Sequence, residues 1–438
     1  MIDNMAWTNQ RNKELVERAR MVIPGGMYGH QATAILPDQF PQFFSRAEGA
    51  RLWDADGNEY IDYMCAYGPN LLGYRHPAVE AAAMAQQRLG DTMTGPSEIM
   101  VELAEKFVSM VTHADWVIFC KNGTDATTMA MTLARAHTRK RKILVATKAY
   151  HGSAPWSNPN LTGILPEERT HILQYEYNNP ASLTDAFRAA ANDVAGVFAS
   201  AFRHDVFDDQ QLPSREYAET ARALCDESGA LLIVDDVRAG FRLARDCSWS
   251  TVGVEPDLSA WGKAIANGYA LSALAGSGKA RAAAQSIFVT GSYWFQAIPM
   301  AAAIATLNEI ENSDYLERTE KTGAMLRDGL ASQALSHGFG LRQTGPVQMP
   351  MILFEDDPDL RLGYCWTAEA LTRGVYFHPW HNKFICAALS ENDVKMTLAA
   401  TDQAFEALKK RRATLGPVEQ LKARFARFAQ FSSFRLII

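Results

Sequence analysis

Between Tyr67 and Ile310 the chain alternates short apolar runs with stretches of helical period, and this alternation limits its fold more than any other feature. The runs Trp116–Cys120, Ile143–Thr147, Val194–Ser200 and Leu231–Asp235 are rich in β-branched or aromatic residues and too short for helices. Between them, spacings such as Ala126, Met129, Ala130, Leu133 and Ala134 put apolar side chains on one helical face. Repetition of strand, helix and strand predicts a mostly parallel sheet buried between helices, because each crossover must return across the sheet and cover it. Ligands of open sheets bind at the carboxyl ends of the strands, so the chemistry is sought just after each run.

The flanks read differently. From Pro37 to Tyr63 come short strands, Phe43–Ser45, Ala50–Trp53 and Glu59–Tyr63, the last two joined over Asp54-Ala55-Asp56-Gly57-Asn58, a hairpin signal. From about Asp314 onward, amphipathic helices and a few strands suggest a smaller domain that takes in the N-terminal hairpin. The expected division is 1–66 and 311–438 for the smaller domain and 67–310 for the larger. At 438 residues, 47% apolar and 21% charged, the composition is that of a folded globular chain. A net charge of -6, from 43 basic and 49 acidic residues, argues against nucleic-acid binding. No apolar segment approaches the roughly 20 residues that span a bilayer. The six cysteines have no short spacing that would suggest zinc or a disulfide framework, and Met1-Ile2-Asp3-Asn4 opens no secretory pattern, so a reducing cytoplasm is expected. The basic stretches Lys409–Arg412 and Arg424–Phe428 read as solvated helix ends.

Three features follow strands. Asn122-Gly123-Thr124-Asp125 opens the helix after Cys120. A helix N-terminus offers free N–H groups and a positive dipole end, which suits a phosphate, though N-capping by Thr124 or Asp125 accounts for the same residues. Asp235-Asp236 ends a buried run. A carboxylate is costly there unless a cation meets it; a metal, an arginine and a protonated heterocycle all qualify, as does a plain turn aspartate. Lys263 lies in Gly262-Lys263-Ala264-Ile265-Ala266-Asn267-Gly268, among small and apolar residues. Desolvation would make it a nucleophilic amine, whereas a surface lysine needs no such role.

In this order, with Tyr150-His151-Gly152 as an aromatic platform, the features meet the needs of pyridoxal 5'-phosphate: a helix end for the phosphate, a stacking face, a carboxylate for the ring nitrogen and an amine for the aldehyde. The sequence resembles the class III, fold type I aminotransferases, and within them is most similar to the glutamate-1-semialdehyde aminomutase branch. The resemblance runs from Ile23-Pro24-Gly25-Gly26 to about Ser390. It takes in Leu52-Trp53-Asp54-Ala55-Asp56-Gly57, Tyr60-Ile61-Asp62, Gly73-Tyr74-Arg75-His76-Pro77, the three features above, Gly240-Phe241-Arg242 and Pro256-Asp257-Leu258. It implies an α/β fold with a mostly parallel seven-stranded sheet in the large domain and a smaller α+β domain formed by both termini. It also implies that Lys263 is the Schiff-base lysine and shuttles the proton between the substrate α-carbon and cofactor C4′, and that Asp235 pairs with the pyridinium nitrogen. Val237 and Tyr150 would cover opposite ring faces, with His151 and Arg238 also at the cofactor, and Asn122, Gly123 and Thr124 would hold the phosphate. A neighbouring subunit completes the site in this family, implying a homodimer or a dimer of dimers.

The departures bear on the substrate. After Pro-Gly-Gly, aminomutases carry a serine and then an arginine that grip the substrate carboxylate; here the stretch reads Met27-Tyr28-Gly29-His30-Gln31-Ala32. The mobile arginine of many ω-transaminases is missing from His378–Phe384, and His381 stands where the aminomutase branch has glutamate. The loop that lends a neighbour's threonine to the phosphate reads Thr290-Gly291-Ser292-Tyr293-Trp294-Phe295, leaving Thr290 and Ser292 as candidates. Arg238 stands where relatives have methionine or glutamine, and is open to two readings: a substrate-carboxylate ligand, or a partner of Asp236 or the ring oxygen. Tyr28, His30, Trp156, Tyr293, Trp294 and Trp380, with His381, are expected around the substrate pocket, a set that suits a bulky apolar amine. The expected reaction is ping-pong transfer of an amino group from such an amine to a keto acid or aldehyde; the alternative is an amino-acid epimerase or aminomutase using the same cofactor and fold.

Overall fold

The computed structural model describes residues 7–419 and Leu421, so the stretch Arg424–Phe428 lies outside the described residues. The central runs become strands β1 (Trp116–Cys120), β2 (Lys142–Ala146), β3 (Ile172–Tyr175), β4 (Val194–Ser200), β5 (Leu231–Asp235), β6 (Leu258–Trp261) and β7 (Ser272–Gly276). They form one seven-stranded sheet in the order β1-β7-β6-β5-β4-β2-β3. All neighbours are parallel except β7, which runs antiparallel to both β1 and β6. β4 and β5 are buried along their whole length, which is why they read as unbroken apolar runs and not as alternating ones. The helix Gly123–Thr138 turns Ala126, Met129, Ala130, Leu133 and Ala134 inward, the face expected from the spacing, and packs on β7, β6 and β4. Register then fixes the functional rim. Ser200 pairs with Asp235 and Asp235 with Ala260, so β4, β5 and β6 end level. Antiparallel β7 begins at that same edge, with Ser272 opposite Cys120.

The chain divides into two units. The larger comprises Ala66–Leu72 and His76–Arg318; the other takes the described residues up to Cys65, Gly73–Arg75, and those from Thr319 onward. In the smaller unit the strands Phe44–Glu48, Arg51–Asp54, Glu59–Asp62 and Val375–Tyr376 make a four-stranded sheet. Its expected hairpin forms because Asp54 Oδ1 accepts from the amides of Asp56 and Asn58, both at 2.9 Å, closing the turn. Helix Glu391–Arg411 ends in Lys409, Lys410 and Arg411, cations suited to a helix C-terminus; Lys410 pairs with Glu406 and Arg411 with Glu369. All six cysteines are free, buried thiols. No described helix is long and apolar enough to cross a membrane.

Candidate active site

The level ends of β4, β5 and β6 deliver the chemistry. Asp235, the last residue of β5, is 8% exposed. Its Oδ1 accepts from the Val237 amide at 3.2 Å, and its Oδ2 lies 2.7 Å from Nδ1 of buried His151. With Asp235 ionised, Nδ1 carries the proton and donates it. The other imidazole nitrogen, Nε2, is buried without a hydrogen-bond partner among the described residues. The ring is fixed by Trp156, stacked at 6.3 Å and 9°, and by Phe198 at 5.2 Å.

Beyond β6 the chain passes through extended Gly262 into a single 3-10 turn, Lys263–Ala266. Lys263 itself has φ of +49°, the left-handed region that costs a residue with a side chain about 1–2 kcal/mol. Ala264, Ile265 and Ala266 are buried behind it. Burial, then the Arg238 cation, draws the Lys263 amine down to about 7, against the pull of Asp235, with Arg242 adding to the depression. A large part of this amine is therefore neutral at physiological pH.

The helix Gly123–Thr138 starts at the same edge. The Asp125 carboxylate accepts from the amides of Asn122 at 2.9 Å and Lys121 at 3.3 Å, while those of Gly123 and Thr124 have no partner among the described residues. Thr124 Oγ1 accepts from the Ser153 amide at 3.1 Å. Two glycines keep the neighbourhood this tight. A Cβ on Gly123 would lie 2.8 Å from Val237 Cγ1. One on Gly152, whose φ is +111°, would lie 2.6 Å from Thr124 Oγ1.

Around this centre, Tyr150 is 43% exposed and Val237 half-buried. Arg238 is also half-buried. Burial draws its guanidinium down to about 10, opposed by Asp235, Tyr150 and Asp205. Trp156, expected at the pocket, is instead 5% exposed, part of the hydrophobic core, and donates from Nε1 to Thr128 Oγ1 at 3.2 Å. Thr290, Ser292 and Tyr293 are exposed, and Trp294 packs partly against the core. Tyr28, His30, Trp380 and His381 belong to the smaller unit. There Tyr28 and His30 are exposed, whereas Trp380 and His381 are buried, Trp380 donating to the Tyr364 hydroxyl at 3.0 Å. Sequence reasoning missed His204, a buried imidazole four residues past the end of β4, and its neighbour Asp205. The only available signal was their position after a strand, because the segment matches no motif.

Pyridoxal phosphate fits this cluster. Two unpartnered amides at a helix end, with glycines that any side chain would crowd, suit a phosphate; a histidine-braced carboxylate suits a protonated ring nitrogen; a largely neutral lysine suits an aldehyde. Comparison with known proteins agrees with that chemistry. Residues 34–410 match the family model described as aminotransferase class-III. The chain is 62% identical over 407 residues to the aminopentol aminotransferase of Sphingopyxis macrogoltabida, covering 93% of this chain and 96% of that protein. It is 28% identical over 433 residues to a glutamate-1-semialdehyde 2,1-aminomutase of Desulforamulus reducens, covering 93% and 100%. Among solved structures, the pyridoxal-phosphate internal aldimine form of the FumI protein from Sphingopyxis sp. MTA144 superposes with a TM-score of 0.94 at 62% identity, covering 94% of this chain and all of that one. By the family match over residues 34–410 and the 62% identity to an aminotransferase along nearly its whole length, the chain belongs to the class III aminotransferases, enzymes that use pyridoxal phosphate.

Proposed function

We propose that the protein moves an amino group from a bulky, largely apolar amine, the aminopentol kind included, to a keto acid or aldehyde in two half-reactions. The observation that carries the reading is the meeting of Lys263, its amine drawn to about 7, with Asp235 in the grip of His151. The choice of amine is supported by the whole-length similarity to an aminopentol aminotransferase, and by the lack of arginine in both Met27–Ala32 and His378–Phe384.

Bound at this site, pyridoxal phosphate supplies an aldehyde for the amine and a protonated ring that draws off the electron pair released at the neighbouring carbon. Asp235 holds the proton on the ring nitrogen, and His151 fixes the carboxylate's direction. Lys263 holds the aldehyde end at rest and, once displaced by substrate, carries the proton between the substrate carbon and C4′. Its neutrality near pH 7 suits both tasks. Gly123 and Thr124, with Asn122, hold the phosphate; Val237 and Tyr150 cover the ring faces. Thr290 and Ser292, exposed on this chain, serve the phosphate of a second copy in a homodimer, and the work is done in the cytoplasm.

A donor and acceptor screen tests this reading. Aminopentol-type amines are expected to bleach the visible band of the holoenzyme stoichiometrically and release a carbonyl compound, and a keto acid is expected to restore the band. Inversion of the amine-bearing carbon with no carbonyl product would make the protein an epimerase or aminomutase instead.

A further inference from the structure

The reading above gives Thr290 and Ser292 to the phosphate of a second copy, and this inference rests on it; what holds the two residues in place lies elsewhere in the larger unit. The segment that carries them is tightly built. Trp294 folds back on Gly291, its amide donating to the Gly291 carbonyl at 3.0 Å, and a Cβ on Gly291 would collide with the indole. The Gln296 amide donates to the Tyr293 carbonyl at 3.3 Å, and the chain then enters the helix Ala297–Asn312. Gln296 stands at the cap of that helix and makes no capping bond with its own side chain. The first amides of a helix still need acceptors. Asp91 supplies them. Helix Pro77–Gln87 runs out at Gly90, whose φ of +120° suits glycine, and Gln86 Nε2 donates to the Gly90 carbonyl at 2.8 Å. The next residue, half-buried Asp91, then meets the far helix. Its Oδ1 accepts from the Ile298 amide at 2.9 Å, its Oδ2 from Gln296 Nε2 at 2.8 Å, and its main-chain carbonyl from the Ala297 amide at 3.1 Å. A carboxylate is also the charge that the positive end of a helix favours.

We propose that Asp91 is a positioning residue for the cofactor phosphate of a second copy: by capping helix Ala297–Asn312 from outside and gripping Gln296, it fixes the two turns that present Thr290 and Ser292 across the homodimer. A rival role lies close by. Lys121 directly precedes the Asn122–Thr124 helix end that holds this chain's own phosphate, and burial draws its amine down while Asp91 pulls it back up. Asp91 therefore also stands within electrostatic reach of its own chain's site. The two roles differ in which subunit's cofactor feels a change at Asp91.

Mixed dimers separate them. One chain carries Lys263→Ala, so that a single lysine-linked visible band reports the site of the other chain, and the dissociation constants of pyridoxal phosphate and of pyridoxal, which lacks the phosphate, are read from that band. Asp91→Ala on the Lys263→Ala chain is expected to weaken pyridoxal phosphate by roughly 3- to 30-fold, the range that loss of a helix cap allows, and to leave pyridoxal within about twofold. Placed on the intact chain, it is expected to change neither. Asp91→Asn, which keeps an acceptor for the Ile298 amide, is expected to bind nearly as wild type does. Gln296→Ala leaves the cap and cuts only the second arm; it is expected to give the same pattern more weakly, and it decides the matter if Asp91→Ala does not fold. A loss felt only when the variant sits on the intact chain overturns the proposal and assigns Asp91 to Lys121. So does an equal loss of pyridoxal phosphate and pyridoxal, the mark of a residue that serves the fold alone, or no loss in any arrangement. A control keeps the underlying reading apart: Thr290→Ala with Ser292→Ala on the Lys263→Ala chain is expected to weaken pyridoxal phosphate in the same way. If it does not, the assignment of these hydroxyls falls and the inference with it; if it does while the Asp91 and Gln296 variants do not, only the inference falls.

Discussion

Among the described residues two lysine amines are drawn to about 7, those of half-buried Lys263 and buried Lys383, so a depressed pKa does not by itself mark the reactive one. What separates them is their company. Lys383 donates to the His381 carbonyl at 3.1 Å, and burial alone accounts for its shift. Lys263 stands in the field of Asp235, Arg238 and Arg242 on the rim where the strands end. The sign of the shift gives a direct expectation. Only the free amine attacks an aldehyde, and below pH 7 its fraction falls tenfold per unit. The rate at which apoenzyme captures pyridoxal phosphate should thus climb up to about pH 7 and then level. A rate still climbing tenfold per unit between pH 8 and 9, as an ordinary lysine with a pKa of about 10.4 would give, contradicts the assignment. At this scale Lys263, Asp235 and the glycines could be singled out as candidates from the sequence. It could not carry the left-handed backbone at Lys263 or the 2.7 Å bond from His151 to Asp235, since both depend on where separate strands end.

At the scale of elements, the helix end and the loop Tyr150–Ser153 act as one device, with Thr127 Oγ1 donating to the His151 carbonyl at 2.6 Å and the Ser153 amide to Thr124 Oγ1. Gly152→Ala puts a methyl group 2.6 Å from Thr124 Oγ1 at a φ that alanine resists. Overpacking of this kind costs about 1–3 kcal/mol, so the cofactor dissociation constant is expected to rise by roughly 5- to 150-fold. Equilibrium dialysis against pyridoxal phosphate measures it, and a change under twofold would show that this loop does not shape the phosphate site. The four central runs were legible because β-branched and aromatic residues fill β1, β2, β4 and β5; β2 runs one residue earlier than read. β6 and β7, Leu-Ser-Ala-Trp and Ser-Ala-Leu-Ala-Gly, escaped because small residues leave little periodic signal. Trp156 was misplaced for a related reason: aromatic character suits a pocket wall and a core equally, and only packing decides.

At the scale of the whole molecule, the strand–helix alternation between Tyr67 and Ile310 brings Asp235, Lys263 and the start of the Gly123–Thr138 helix to one edge of one sheet. The fold follows from physics the sequence exposes, while the choice of amine rests on individual side chains that periodicity does not register. Lys263 is proposed as the amine that holds the cofactor. Borohydride reduction of the holoenzyme, digestion and mass mapping of the pyridoxyl-bearing peptide test it directly. The label is expected on Lys263, as is its loss in Lys263→Ala together with a fall in transamination of about 10²- to 10⁴-fold. A label on Lys383 or any other lysine, or Lys263→Ala protein that still traps the cofactor, would contradict it.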